Sequence, residues 1–279
     1  MVKIITDTTV CLPAEIARQY DIPVMPQVVT FGNDTYYEGI DMDADAFMAR
    51  LKSSAELPKT AAPPPQLFVE QFQRLAPAGE TILCIHPSAE LSGTVRSATV
   101  AAADFPDMDI RIIDTRLIAS PLGRIVLLAA EAAANGADAD TVTALINDLG
   151  RRGRLYFLVI TLEYLAKGGR IGGASALLGS VLSIKPILRL EGGRIESHEK
   201  ERTHKRALAR LKEIVVEQAP RDGDGYLSIM YAGNPDEGQA LADELGREIN
   251  QPEVSVVAMP PAIITHGGPG ILAAGFFVK

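Results

Sequence analysis

The 279-residue sequence contains no tryptophan, and only 5% of its residues are aromatic. A surface on which successive bases of a single strand stack is therefore not expected. Basic residues are in deficit, 27 against 35 acidic ones, for a formal net charge of -8. Backbone-driven nucleic-acid binding needs the opposite sign, so no nucleic-acid partner is expected. Cysteine is nearly absent: Cys11 and Cys84 stand far apart without a CxxC spacing. Neither a disulfide framework nor a cysteine metal site is indicated. The four histidines (86, 198, 204 and 266) show no HExxH and no paired-ligand spacing, so no metal is expected. No 18-residue apolar run occurs, because the most apolar stretch, Ile118 to Ala134, is interrupted by Arg124 and Glu131. The opening Met1-Val2-Lys3-Ile4-Ile5 reads as a first strand rather than a secretion signal. A cytoplasmic protein without stable membrane insertion is the expectation.

What is present is ordinary globular composition, 47% hydrophobic and 22% charged, with a length that suits two modest domains or one large α/β domain. Short apolar runs at Val2–Thr6, Thr81–Ile85 and Ile110–Ile113 alternate with helical runs at Leu12–Tyr20, Ser92–Ala103 and Ser120–Ala134. Strand–loop–helix repetition of this kind implies a parallel sheet. Val24–Phe31 reads as one strand with turn residues at Gly32-Asn33-Asp34, and Asp43–Ser54 as a helix. The triple proline of Pro58–Pro65 argues for an irregular loop there. Beyond residue 150 the grain changes. Ile187–Glu191 and Arg194–His198 flank Gly192-Gly193, a two-residue hairpin signal, between helices at Thr203–Ala219 and Pro235–Ile249. The fold class expected is α/β in two domains. Residues 1–150 form an N-terminal α/β/α domain with a parallel sheet, and residues 151–279 a C-terminal α/β domain with a mixed sheet, divided near Gly150-Arg151-Arg152-Gly153.

In open parallel sheets ligands bind beyond the carboxyl ends of the strands. Asp7-Thr8-Thr9, the loop His86–Ser92 and Asp114-Thr115 all meet that condition. Ser92 is placed to cap its helix, Gly93 admits a ligand to the backbone, and first-turn N–H groups favour an anion. Simple helix capping would explain the same residues. His266 follows the short run Ala262–Ile264, read as a strand end, in a Gly/Pro loop. Thr60 alone reads as a solvated loop residue. Familiar catalytic patterns are missing: no G-x-S-x-G, since Glu90-Leu91 precede Ser92, and no G-x-x-x-x-G-K-[ST]. Ser92, His266 and Asp114 contain the parts of a triad without any sign that they meet.

An ordered series of motifs runs through nearly the whole chain. It comprises Ile4-Ile5-Thr6-Asp7-Thr8-Thr9, Pro58-Lys59-Thr60, Leu91-Ser92-Gly93-Thr94 with Ser97-Ala98, and Ile112-Ile113-Asp114-Thr115. It continues with Leu162 through Ile171, Ala176-Leu177-Leu178-Gly179, Ile184-Lys185-Pro186-Ile187-Leu188, and Thr265-His266 with Gly268-Pro269-Gly270. In this series the sequence resembles the DegV family. The resemblance implies two α/β domains with a long-chain, palmitate-like fatty acid in an apolar tunnel between them, and no catalytic residue of the chain's own. It implies a binding subunit that presents the fatty-acid carboxylate to a separate ATP-dependent fatty-acid kinase subunit. Thr60 and Ser92 would bond the carboxylate beside Gly93, His266 would lie near the head group, and Arg170 would contact the kinase. The chain departs from the family at Ala61 and Pro64, at Ala89 and at Val95, where the family often carries further hydroxyls or an aromatic.

The chemistry is reasonable from first principles. Each buried methylene contributes about 0.8 kcal/mol, so fourteen supply roughly 11 kcal/mol. Apolar runs at Ala176–Leu182, Ile184–Leu188 and Ile125–Ala134 provide candidate lining, although core packing would use them equally well. A buried carboxylate needs converging donors, which two hydroxyls and first-turn N–H groups can supply. Three other readings stay open: an esterase or acyl transferase using Ser92 and His266, a protein binding a small polar ligand at His266, and an interaction protein without ligand.

Overall fold

The computed structural model describes residues 1–54, 56–75, 79–178, 184–221 and 226–279. Along the chain come β1 (Val2–Asp7), α1 (Ala14–Gln19), β2 (Val24–Met25), β3 (Val28–Phe31), β4 (Asp34–Tyr37), α2 (Ala44–Ser53), β5 (Lys59–Ala61) and α3 (Pro65–Leu75). They are followed by β6 (Thr81–His86), α4 (Thr94–Ala102), β7 (Ile110–Asp114), α5 (Ala119–Ala134) and α6 (Ala139–Arg152). The remainder is β8 (Gly153–Leu158), α7 (Glu163–Lys167), β9 (Lys185–Glu191), β10 (Arg194–Glu201), α8 (His204–Gln218), β11 (Leu227–Tyr231), α9 (Pro235–Glu248), β12 (Ser255–Ala258), α10 (Pro261–Gly267) and β13 (Leu272–Phe277).

Two compact units result, one of Met1–Asp43 with Pro58–Arg151, the other of Ala44–Leu57 with Arg152–Lys279. The expected split at residue 150 differs from this grouping in one segment. Helix α2 buries Phe47 and Leu51 and packs on α10, so it groups with the second unit.

In the first unit β2-β1-β6-β7 form a four-stranded sheet in which every pairing is parallel. Both faces of β1 are covered, Ile4 and Ile5 alike, as parallel sheets require. One face packs Ile5, Ile82 and Cys84 against Phe68 and Phe72 of α3 and Ala98 of α4. A small antiparallel sheet, β4-β3-β5, carries the segment that follows α2. The second unit holds a six-stranded sheet, β10-β9-β8-β13-β11-β12, antiparallel except for β11 with β12. Its core joins Leu158, Ile187, Ile229, Leu272 and Phe276 to Leu211 and Ile214 of α8 and Leu241 and Leu245 of α9. The chain is therefore α/β with one parallel and one mixed sheet. Gly192 and Gly193 turn the β9–β10 hairpin with φ of 56° and 84°, a conformation that only glycine adopts at little cost.

Three expectations are corrected. Pro58–Pro65 is not irregular throughout: Lys59–Ala61 pairs with β3, and Pro65 opens α3, where a proline's missing N–H costs nothing. Ala262–Ile264 is helix rather than strand, because Pro261 at the first turn starts α10. Val24–Phe31 breaks into two strands at Pro26-Gln27, which serve different sheets. Of the expected apolar run Ala176–Leu182, residues 179–182 lie outside the described residues.

Candidate functional site

The β1–β6 register aligns Val2 with Thr81 through Ile5 with Cys84, and two more residues bring Asp7 beside His86. Both close their strands at the carboxyl end, where an open parallel sheet offers its binding crevice. Asp7 and His86 are fully buried, and His86 Nδ1 lies 3.0 Å from Asp7 Oδ2. The other carboxylate oxygen, Oδ1, accepts from Thr9 N–H at 3.0 Å, from Thr9 Oγ1 at 2.6 Å and from Gln27 Nε2 at 3.2 Å. Gln27 Nε2 also reaches Thr94 Oγ1 at 2.9 Å, and Thr94 Oγ1 lies 2.8 Å from Ser92 Oγ. A continuous polar chain thus runs from the buried aspartate to the partly exposed Ser92.

Ser92 does not cap α4 as expected. Helix α4 starts at Thr94 with Gly93 as its N-cap, and Ser92 Oγ instead accepts from Thr94 N–H at 3.3 Å. The loop before the helix is tied down by Leu91 N–H and Ser92 N–H, both donating to the Ser88 carbonyl at 3.0 Å. Thr60 sits in β5 opposite Val29. The segment just after it docks on the start of α4: Ser97 Oγ donates to the Pro63 carbonyl, and a Cβ on Gly93 would lie 3.4 Å from Ala62 Cβ. Thr60, Ser92 and Gly93 therefore come from two segments packed together within the first unit.

His266 and Arg170 come together in the second. His266 lies in α10, and a Cβ on Gly168 would run into His266 Nδ1, so only glycine leaves room for the imidazole. Arg170 Nη1 donates to the Gly168 carbonyl at 2.7 Å. Burial, then the charge of Arg170, pushes the His266 pKa down to about 4, so the ring is neutral at pH 7. Burial also lowers the pKa of the half-buried Arg170 guanidinium. Gly268, at φ 81°, packs against the Tyr164 ring and closes the same corner.

The remaining candidates are otherwise engaged. Asp114 pairs with Arg116, at 3.1 Å between Arg116 Nε and Asp114 Oδ2. Both thiols are pushed above their ordinary pKa, Cys84 by burial and Cys11 by burial and then Glu38, which leaves them poor nucleophiles. Among the described residues no group of histidine, cysteine and carboxylate side chains could hold a metal. Among the same residues no helix is long and apolar enough to cross a membrane. Sequence reasoning marked the Asp7 and His86 loops and the motif that contains Thr94, but missed Gln27. Polar residues ending adjacent parallel strands signal the first pair, whereas nothing local marks Gln27.

The family model described as "Uncharacterised protein, DegV family" matches residues 1–279. The chain belongs to the DegV family. A DegV domain-containing protein of Streptomyces coelicolor is 39% identical over 276 residues, 97% of this chain and 96% of that protein. Among solved structures, a fatty acid binding DegV family protein from Streptococcus agalactiae superimposes with a TM-score of 0.91 at 31% identity, covering 100% of this chain and 99% of the other. DegV of Bacillus subtilis, described as a fatty acid binding protein, gives 0.90 at 30% identity, again covering 100% and 99%.

Proposed function

We propose that this DegV-family chain binds a long-chain fatty acid in the cytoplasm and presents its carboxylate to a separate ATP-dependent kinase subunit, performing no bond-making itself. The observation that carries the first half is likeness over the full length of both chains to DegV proteins described as fatty acid binding, at TM-scores of 0.90 to 0.91. We further propose that Thr60 and Ser92, beside Gly93, hold the carboxylate, that His266 completes the head-group environment, and that Arg170 meets the kinase. Neutral hydroxyl donors suit a carrier, because they bind the carboxylate without neutralising the oxygen that must attack a phosphoryl donor. A His266 that stays neutral at pH 7 adds no counter-charge either. The kinase half of the proposal rests on the motif series that resembles the family; the sequence itself has no G-x-x-x-x-G-K-[ST] motif.

Organic extraction of the purified protein followed by mass spectrometry tests the ligand. A stoichiometric free fatty acid is expected; an empty extract, together with no binding of added palmitate or oleate, overturns the reading. Ser92→Ala and Thr60→Val are each expected to weaken palmitate binding about tenfold, the loss of one hydrogen bond to a charged group. Titration with a labelled fatty acid, at unchanged melting temperature, checks this.

A further inference from the structure

The polar chain behind Ser92 has a direction. Asp7 Oδ1 accepts from the backbone N–H of Thr9, which can only donate, so that oxygen is an acceptor. Gln27 must therefore turn its NH2 group toward it, at 3.2 Å. The second hydrogen on that nitrogen points to Thr94 Oγ1, 2.9 Å away, and occupies a Thr94 lone pair. The Thr94 proton is then available for Ser92 Oγ at 2.8 Å. Ser92 Oγ takes a second hydrogen from Thr94 N–H at 3.3 Å. With that proton on Ser92 Oγ, both lone pairs of the serine oxygen are filled from Thr94, and what remains is the serine's own proton.

We propose that Asp7, Gln27 and Thr94 are positioning residues that commit the Ser92 hydroxyl to donate, so that the site selects a head group that accepts, as a carboxylate does. This deepens the head-group role proposed for Ser92 and rests on it. The elements of the relay are fixed independently of any ligand. Asp7 is held by the β1–β6 register, by Thr9 and by His86, while Gln27 and Thr94 are buried, with Gln27 N–H donating to Thr8 Oγ1 at 3.1 Å. A hydroxyl oriented before binding spares the ligand the cost of orienting it. A carboxylate is an acceptor at both oxygens and matches it; an alkylammonium has no acceptor and does not.

Two measurements test the proposal. Neutron diffraction from deuterated protein is expected to show the Thr94 hydroxyl deuteron on the line to Ser92 Oγ and both Gln27 amide deuterons on the atom facing Asp7. A Ser92 deuteron directed at Thr94 overturns the relay whatever the ligand. Palmitate titration of Thr94→Val and Thr94→Ser then asks whether the relay matters. Valine keeps the shape and loses the hydroxyl, so affinity is expected to fall roughly three- to tenfold. Serine loses a methyl and keeps the hydroxyl, so affinity is expected to stay within about twofold of the parent. The reverse order would mean that Thr94 matters by packing and would overturn the proposal. Failure of the unmodified protein to bind any fatty acid would instead sink the head-group reading while leaving the neutron result to decide the relay.

Discussion

His266 shows how far the environment of one side chain can be carried toward a measurement. Burial and the neighbouring Arg170 lower its pKa from 6.5 to about 4 in the folded chain. Between those values the unfolded chain binds more protons than the folded one, so stability rises with pH across that window and is lost as pH falls through it. The loss from this group is on the order of 1–2 kcal/mol, after allowance for its partial exposure. Urea denaturation at pH 7, 6 and 5 should show a steeper decline for the parent than for His266→Asn; equal slopes would contradict it. At this scale the sequence was informative about residue types and mute about partners. Ser92, Gly93 and Thr60 stand in readable motifs, but the polar chain from Ser92 joins residues 7, 27, 86 and 94 through hydrogen bonds up to 79 residues apart in sequence. Gln27 follows a proline between two short strands and resembles any connecting residue until the sheets are assembled.

At the scale of elements, legibility followed the strength of local chemistry. The Gly192-Gly193 turn, the parallel strands and the long helix α5 were readable because glycine conformation and apolar runs decide them locally. The proline-rich stretch misled, since Thr60 pairs with β3 across about thirty residues and tertiary pairing outweighs the loop preference. Ala262–Ile264 misled for a different reason: three apolar residues fit either period, and Pro261 decides for the helix. Helix α5 also yields a prediction opposite to propensity. Alanine normally improves on glycine inside a helix by up to about 1 kcal/mol. At Gly123, however, a Cβ would run into the Val10 carbonyl. Gly123→Ala is therefore expected to destabilise the protein by about 1–3 kcal/mol, measured by chemical denaturation.

For the whole molecule, nothing local in the sequence announces the grouping of α2 with the second unit. That grouping depends on α10, which lies far along the chain and shares no local pattern with α2. A ligand that binds only the folded protein stabilises it by mass action. Palmitate at a hundred times its Kd should add about 2.7 kcal/mol to the unfolding free energy. Thermal melts with increasing palmitate are expected to rise for the parent and to rise less for Ser92→Ala at the same concentrations.

The position of α2 also sets a timetable for synthesis. The helix leaves the ribosome early, yet α10, on which it packs, is the last helix in the chain. About two hundred residues separate them, which at roughly 5–20 residues per second means some 10–40 s of waiting. Throughout that interval α2, which buries Phe47 and Leu51 in the finished protein, lacks its α10 neighbour. The nascent chain thus carries, between the two segments of its first unit, a helix whose packing partner is not yet made. A ribosome stalled before residue 261 would leave α2 without that packing partner.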